Sequence, residues 1–193
     1  RPYADRNPPE SRNQPILGAN DGNSGTAALL ELARTLDVDK SGLQVWLAFF
    51  DAEDRGNLDG WPFSVGASFA AERNLDFVAV IVIDMIGDAD QQIYMDANSD
   101  PGLSRSLWKL ADSMGLSGNF IPQVKYRIID DHIPFALKGI PSALIIDFDY
   151  PYWHTTEDTL DKVSAESLER VGRLLERWLE ERAYEAWLTS GKS

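Results

Sequence analysis

The chain has 193 residues, 44% of them hydrophobic and 25% charged, so it can bury a core, and this length is typical of a single domain spanning residues 1–193. The balance of 18 basic against 31 acidic residues gives a formal net charge of −13, which argues against a nucleic-acid partner because phosphate binding requires clustered Lys and Arg. Cysteine is absent, which excludes disulfides, thiol nucleophiles and thiolate metal ligands.

The sequence as given carries no pattern of a membrane span or of a signal peptide. No apolar run approaches the roughly 18 residues that a spanning helix needs, so we expect a soluble protein with no membrane insertion. Residues 1–5 lack the charged and apolar regions of a signal peptide. Residues 1–20, rich in Pro, Asn and Arg, show almost no periodicity and predict an extended loop that leads into the domain.

Three apolar runs of strand length follow in chain order. Residues 43–50, 77–86 and 142–148 are nearly continuous in apolar side chains, and the second run is rich in β-branched residues. Such runs are typical of strands that are buried on both faces, as in a parallel sheet. A shorter strand is predicted at residues 92–96.

Helical periodicity alternates with these strands. Residues 24–37 carry apolar side chains at helical spacing behind Ser24, a favourable N-cap residue. Residues 63–73 and 101–114 also predict helices, and a last long amphipathic helix is predicted from Ser164 onward. The alternation of strands and helices predicts an α/β fold.

Acidic side chains recur where these elements end. Asp21 lies in a turn of small residues just before the first helix, and Glu53 and Asp54 follow the first strand. Asp84 lies in the second strand, where an ionised carboxylate is costly unless it is paired or binds a cation. His154, one of only two histidines, follows the third long strand. The carboxyl ends of strands in an α/β sheet are where such folds place their sites.

Each of these residues also has an ordinary structural interpretation. Asp21 alone is explained as a turn aspartate, and Glu53 with Asp54 as a solvated loop pair. His154 alone is explained as a packed histidine beside aromatic residues. These interpretations are difficult to hold together, because all the positions fall at strand ends of one predicted sheet. Carboxylate and imidazole donors without sulfur favour Zn²⁺.

Five segments of the chain, in order, resemble one enzyme family. They are GANDGNSG at residues 18–25, FFDAED at 49–54, IDMIG at 83–87, DDHIPF at 130–135 and YWHTTEDTLDKVS at 152–164. The series closely resembles the zinc-dependent aminopeptidase family that also contains the animal-type glutaminyl-peptide cyclotransferases, and the resemblance covers nearly the whole chain. It implies a three-layer α/β/α sandwich with a mixed, mostly parallel sheet and metal ligands at the carboxyl edge of that sheet.

The resemblance also implies roles for individual residues. Asp21, Asp54 and His154 would be metal ligands, and Glu53 would be the general acid/base. Asp84 would ligate a second metal in the peptidases, whereas in the cyclases it would belong to a hydrogen-bond network under the substrate. The implied cofactor is Zn²⁺, as one ion or as two in the intact protein.

Two departures from the family pattern stand out. Asp54 occupies a position that is usually a glutamate; an aspartate reaches roughly 1.5 Å less far, so its loop must approach the metal more closely or coordinate it differently. The family also has a His-x-Asp-Ser motif immediately upstream of a segment that resembles residues 1–5, which implies that this chain is a fragment without the early strands. His132 cannot replace the missing histidine, because it belongs to the matched segment at residues 130–135.

The residues leave open which reaction the site supports. Trp153 directly before His154, Trp61 shortly after the ligand loop and the DDHIPF string favour the cyclases, in which the tryptophans would wall a glutamine pocket and Asp131 would join the acidic network as a catalytic residue. Both tryptophans are equally explained as core residues, and residues 20–25 look more like the aminopeptidase version.

We therefore expect a glutaminyl cyclase acting on peptide N-termini, with a metallo-aminopeptidase as the alternative and an inactive scaffold domain as the third possibility. The resemblance further implies a secreted or periplasmic protein. The peptide substrate, the metal count and the oligomeric state do not follow from the sequence.

Overall fold

The fold alternates helices with parallel strands. In the computed structural model, residues 4–57, 59–73 and 76–190 are described, so the first three residues of the predicted N-terminal loop lie outside the described part. The elements in chain order are α1 (Asn23–Thr35), α2 (Val38–Ser41), α3 (Val65–Ala71), β1 (Val80–Asp84), β2 (Ile93–Asp96), α4 (Pro101–Ser113), β3 (Phe120–Tyr126), α5 (Ile133–Leu137), β4 (Ser142–Ile146), α6 (Ala165–Glu180) and α7 (Tyr184–Ser190), with 3₁₀ turns at Pro9–Ser11 and Leu160–Lys162.

The strands pair in parallel, as the apolar runs predicted. β1 pairs with β4, with Val80 opposite Ser142 and Asp84 opposite Ile146. β2 pairs with β3 in a ladder whose register shifts twice, and β2 packs alongside β4. The structure therefore contains two parallel ladders, β1-β4 and β2-β3, which lie next to each other through β4 and β2. An isolated antiparallel bridge joins Asp88 to Val163.

β4 is buried on both faces, which explains its unbroken apolar sequence. Ala143 and Ile145 point into the main core, which α1, α4 and α6 cover. Leu144 and Ile146 point to the opposite face, into a second cluster with Tyr150. Helices α3 and α5 pack against each other around a third cluster that includes Phe135. The predicted α/β architecture, with helices on both faces of parallel strands, is confirmed.

Helix α1 confirms the predicted helix, but Ser24 is not its N-cap. The helix begins one residue earlier, behind Gly22, and has no side-chain cap. The Ser24 hydroxyl instead donates to the Asn20 carbonyl (2.5 Å) and accepts from the Ile86 N–H (3.1 Å). The correction has a physical reason: this hydroxyl connects the start of α1 to the end of β1, so it is not available to the first turn.

The predicted strand at residues 43–50 is wrong. Leu43 and Leu47 pack against the main core, but within the described residues this segment joins no backbone ladder. Trp46 and Phe49 remain 57% and 53% exposed. Apolar composition thus predicted contact with the core correctly, while a strand also requires a neighbouring backbone with which to exchange hydrogen bonds.

Other differences are smaller. The predicted strand at residues 77–86 is paired only over Val80–Asp84, and α3 is shorter than the predicted 63–73 helix. β3 was not predicted, because its mostly exposed side chains and its proline hide the strand pattern. None of the described helices combines the length and the apolar composition that crossing a membrane requires.

Candidate functional site

Three of the predicted ligands converge at the carboxyl edge of the sheet. His154 Nε2 lies 3.0 Å from Asp54 Oδ1 and 3.4 Å from Asp21 Oδ2. One donor atom from each of the three residues lies within 4.8 Å of the other two. The loop that carries Asp54 therefore brings this shorter side chain within reach of His154.

A buried carboxylate, Asp158, positions the loop that carries Asp21. Asp158 Oδ1 accepts from the Asn20 N–H (2.9 Å) and from the Tyr150 hydroxyl (2.7 Å), and Oδ2 accepts from the Asp21 N–H (3.1 Å). Asn20 Oδ1 in turn accepts from the Gly87 N–H at 2.6 Å, which ties the loop to the end of β1. The sequence reasoning missed Asp158; the available signal was a second acidic residue shortly after His154.

The ring of His154 is oriented by its second nitrogen. Nδ1 lies 3.3 Å from the Ala4 carbonyl oxygen, a pairing that makes Nδ1 the protonated nitrogen and leaves the Nε2 lone pair facing the carboxylates. The His154 backbone has φ of 59°, in the left-handed region. Strained backbone of this kind persists where the surroundings over-determine it, and such positions cluster at functional sites.

These three residues fit a zinc ion on the chemistry and spacing of their donors. Tetrahedral zinc with ligand bonds of about 2.0–2.1 Å places neighbouring donors roughly 3.3 Å apart, which the 3.0 and 3.4 Å separations match. The set offers two carboxylates and one imidazole, and the sequence contains no cysteine. Zn²⁺ is commonly coordinated by imidazole nitrogen and carboxylate oxygen donors.

The three candidate ligands shift one another's pKa values. Burial raises the pKa of Asp21 to about 6, against the opposing effect of His154. Burial also opposes ionisation of Asp54, but the hydrogen bond and charge of His154 outweigh it and hold the pKa of Asp54 below its usual value. Burial likewise opposes the charge on His154, yet Asp54 and Asp21 raise the pKa of its imidazole. The attraction between the His154 imidazole and the two carboxylates therefore favours their charged forms, while burial opposes them.

A second set of carboxyl groups lies beside the ligands. Burial, followed by the charge of Asp130, raises the pKa of Glu53 to about 10. Burial, and then the charges of Asp130 and Asp21, raise the pKa of Asp84 well above its usual value. Asp84 Oδ1 accepts from the Met85 N–H at 2.8 Å. The pocket thus contains carboxyl groups that favour the protonated form and can exchange protons with a bound molecule.

Within the DDHIPF segment, Asp130 affects the pKa of the neighbouring carboxyl groups more strongly than the predicted Asp131 does. Asp130 is 5% exposed, and burial raises its pKa to about 8. Its charge is the largest electrostatic influence on both Glu53 and Asp84, whereas Asp131 is a minor influence on Glu53. The role predicted for Asp131 stays a prediction, and Asp130 is a residue that sequence reasoning missed.

His132 lies apart from the metal ligands. It is fully buried, with Nε2 3.2 Å from Asp96 Oδ2. Asp96 also accepts from the Ile128 N–H at 2.7 Å, so the pair fixes the segment that leads into Asp130.

The two predicted pocket tryptophans differ in their placement. Trp153 lies against His154, with ring centroids 4.5 Å apart, and stacks on Phe148 at 5.4 Å. Trp61 is 49% exposed on the loop after Asp54, and its carbonyl accepts from the Asn57 N–H. Among the described residues, the Trp61 ring is not stacked on the aromatic cluster of Trp153. The structure therefore brings Trp153 against His154, while Trp61 is half exposed and its predicted role in the pocket stays a prediction.

Comparison with known proteins gives matches over most of the chain. The model of peptidase family M28 matches residues 4–179. Aminopeptidase YwaD of Bacillus subtilis is 30% identical over 170 residues, which are 82% of this chain and 36% of that protein. The glutaminyl cyclase of Tannerella forsythia superposes with a TM-score of 0.84 at 29% identity, covering 93% of this chain and 69% of that chain. A Zn-dependent exopeptidase from Parabacteroides distasonis gives 0.83 at 28% identity, covering 93% and 69%.

The chain spans only part of its relatives. It covers 36% of YwaD and 56% of the glutaminyl-peptide cyclotransferase of Bothrops jararaca, so it corresponds to about a third to just over half of these curated proteins. The family match nevertheless includes every ligand of the site described above. This chain, with its three converging donors and its parallel sheet, belongs to peptidase family M28.

Proposed function

We propose that residues 1–193 form one catalytic domain that, loaded with Zn²⁺, converts the N-terminal glutamine of peptides to pyroglutamate and releases ammonia. The observation that carries this proposal is the adjacency of two groups: three ligands that converge on one point, and the Glu53 carboxyl beside Asp54. The likeness to several solved glutaminyl cyclases supports it.

Asp21, Asp54 and His154 would hold the ion. When bound, Zn²⁺ supplies Lewis-acid polarisation of the carbonyl of the glutamine side-chain amide. We assign the proton transfers to Glu53, whose buried carboxyl binds protons tightly and can therefore act as a general base once ionised.

The cyclisation balances within the substrate residue. The α-amine nitrogen bonds to the side-chain amide carbon, and the bond from that carbon to the amide nitrogen breaks. Glu53 accepts one proton from the α-amine and returns it to the departing ammonia. Because nucleophile and electrophile belong to one residue, proximity supplies much of the rate. Asp84, Asp130 and the predicted Asp131 would hold the amine in place, and Trp153, with Trp61 at the rim, would wall the pocket.

Asp84 has a different role in the cyclase proposal from the one that a two-metal peptidase would give it. Asp84, the predicted second-metal ligand, is not part of the three-donor group found among the described residues. Among neighbouring charges, that of Asp130 has the largest effect on its pKa. In the cyclase proposal, Asp84 belongs to the hydrogen-bond network under the substrate.

An aminopeptidase is the second candidate, because the chain is 30% identical to aminopeptidase YwaD. In that reaction Glu53 would accept a proton from an attacking water and pass it to the leaving amine. The same ligands and the same general base would serve, so the difference lies in the substrate pocket.

The decisive assay offers the zinc-loaded protein a glutaminyl dipeptide and, separately, a leucine anilide. Ammonia release with lactam formation supports the cyclase, whereas anilide cleavage that a chelator abolishes supports the peptidase. The variant His154→Ala is the control and should lose either activity. A protein that retains no zinc above background after reconstitution would instead be the scaffold domain, and both enzyme proposals would fail.

A further inference from the structure

We propose that the N-terminal strap, residues 4–7, is a positioning device that presets His154 for metal binding, with Asn7 as its central residue. The inference rests on the proposed function only in assigning zinc to the site. It gives a role to a segment that the sequence reasoning treated as a loop leading into the domain.

Ala4 and Arg6 of the strap both contact the His154 loop. The Ala4 carbonyl lies 3.3 Å from His154 Nδ1, and the Arg6 N–H donates to the His154 carbonyl at 3.2 Å. The Arg6 guanidinium donates to the Trp153 carbonyl at 3.3 Å and lies 4.5 Å from the centre of the Trp153 ring. Backbone and side-chain contacts therefore hold both the ring and the peptide of His154.

Asn7 joins the strap to the His154 loop through both the nitrogen and the oxygen of its side-chain amide. Nδ2 donates to the His154 carbonyl at 3.4 Å and to Asp5 Oδ1 at 3.0 Å. Oδ1 accepts from the Thr156 N–H at 2.9 Å and from the Thr156 hydroxyl at 3.0 Å. The residue is 3% exposed. A buried amide with these partners fixes the two peptides that follow His154, roughly 150 residues along the chain.

Two features of His154, its backbone conformation and the orientation of its ring, require support from neighbouring groups. His154 has its backbone in the left-handed region, with φ of 59°, which is uncommon for residues other than glycine and costs energy that the surroundings must offset. Groups that hydrogen-bond to a ligating histidine orient its ring and typically change metal affinity 10- to 100-fold when removed. The strap supplies both the Nδ1 partner and the clamp on the carbonyl.

The experiment measures zinc affinity by competition with a chelator, in the absence of any peptide. Asn7→Ala should weaken zinc binding about 10- to 100-fold. Thr156→Val removes one hydroxyl donor to Asn7 and keeps the backbone donor, so we expect a smaller loss of about fivefold. Gln91→Ala is the matched control, since Gln91 is 2% exposed and its amide donates to the Ile86 and Ser167 carbonyls, not to the His154 loop.

The control should lower thermal stability and leave zinc affinity unchanged. In turnover assays, Asn7→Ala should recover most of its rate at saturating zinc, a response that a merely structural defect would not give. Wild-type zinc affinity in both Asn7→Ala and Thr156→Val, or equal weakening in Gln91→Ala, would overturn the inference. If zinc affinity falls as expected while neither substrate is converted, the inference stands and the proposed function fails.

Discussion

Two adjacent carboxyl groups, Asp130 and Asp131, differ in their electrostatic influence on the site. Among neighbouring charges, that of Asp130 raises the pKa of Glu53 and Asp84 most, and Asp130 Oδ1 accepts from the Asp131 N–H at 2.5 Å. Adjacent positions in a chain point in different directions, so a motif match cannot by itself distinguish the two. At the scale of single residues, the pKa values of the site therefore depend on which carboxyl groups are buried close to one another.

The direct test of this distinction compares Asp130→Asn with Asp131→Asn. We expect Asp130→Asn to lower kcat/KM at least about tenfold more than Asp131→Asn, because it changes the group beside Glu53. Steady-state kinetics with a glutaminyl dipeptide measure the difference. Equal losses, or a larger loss in Asp131→Asn, would show that the sequence prediction was right.

The proposed general base has its own prediction. Glu53→Gln should keep the bound zinc and lose at least about 10²-fold in turnover, the usual contribution of a general acid/base. Metal analysis and single-turnover kinetics provide the two measurements. Glu72→Gln, an exposed glutamate after α3, is the control and should retain normal turnover. Near-normal turnover in Glu53→Gln would remove Glu53 from the mechanism.

Asp147 predicts a pH dependence of stability away from the ligands. It is fully buried, and burial raises its pKa to about 7 from an ordinary 3.8, although the Gln92 N–H opposes this by donating to Oδ2 at 2.8 Å. The folded state thus binds this proton more tightly than the unfolded state. The stability it contributes is complete below about pH 4 and is lost as the pH rises to about 7.

Asp147→Asn cannot ionise and should escape that loss. Its free energy of unfolding relative to the wild type should rise by about 2 to 4 kcal/mol between pH 4 and pH 8. Urea denaturation across that range checks the prediction. A difference that stays constant with pH would contradict it.

At the scale of elements, the close contact of α1 with β1 places the Asp21 loop. A Cβ on Gly25 would lie 2.4 Å from the Ile83 carbonyl oxygen, so only glycine permits this approach. Ser24 reinforces the contact through its bond from the Ile86 N–H. The helix can therefore start directly beside the carboxyl end of the strand, where the ligand loop lies.

Gly25→Ala should push α1 away from β1. We expect a loss of about 1 to 3 kcal/mol in unfolding free energy, as for other overpacked sites. Gly172→Ala in α6 is the matched control: a Cβ there meets nothing within 4 Å, so the change should be neutral or stabilise by up to about 1 kcal/mol. Chemical denaturation of both variants measures the contrast, and similar effects at the two glycines would refute the packing argument.

At the scale of the whole molecule, the site joins distant parts of one chain. Its candidate ligands come from loops near residues 21, 54 and 154. Carboxylates gathered in one place repel one another, so the folded state carries an electrostatic cost that a bound cation relieves.

Zinc should therefore stabilise the folded protein. At 100 times its dissociation constant, the ion adds about 2.7 kcal/mol to the stability, which corresponds to a rise of roughly 5 to 10 °C in Tm for a chain of this length. Thermal unfolding with added zinc and with a chelator checks this expectation. His154→Ala should abolish the shift, and an equal shift in that variant would place the ion elsewhere.

The patterns that the sequence made visible are local. Apolar runs predicted the positions of β1 and β4, and helical stripes predicted α1, α4 and α6, because these periodicities repeat within a few residues. The same local reasoning failed at residues 43–50, where strand formation depends on a neighbouring backbone, and at β3, whose exposed face lacks an apolar pattern.

The sequence by itself determined the donor types, the α/β class and the family resemblance, since these follow from residue identity and order. Only the tertiary structure decided that Asp158 ties the Asp21 loop from 137 residues away, that Asn7 hydrogen-bonds the His154 carbonyl, and that the charge of Asp130 acts on Glu53. The physical reason is that convergence and burial are properties of packing: side chains far apart in the chain acquire shared charges, donors and pKa values only once the fold removes water from between them.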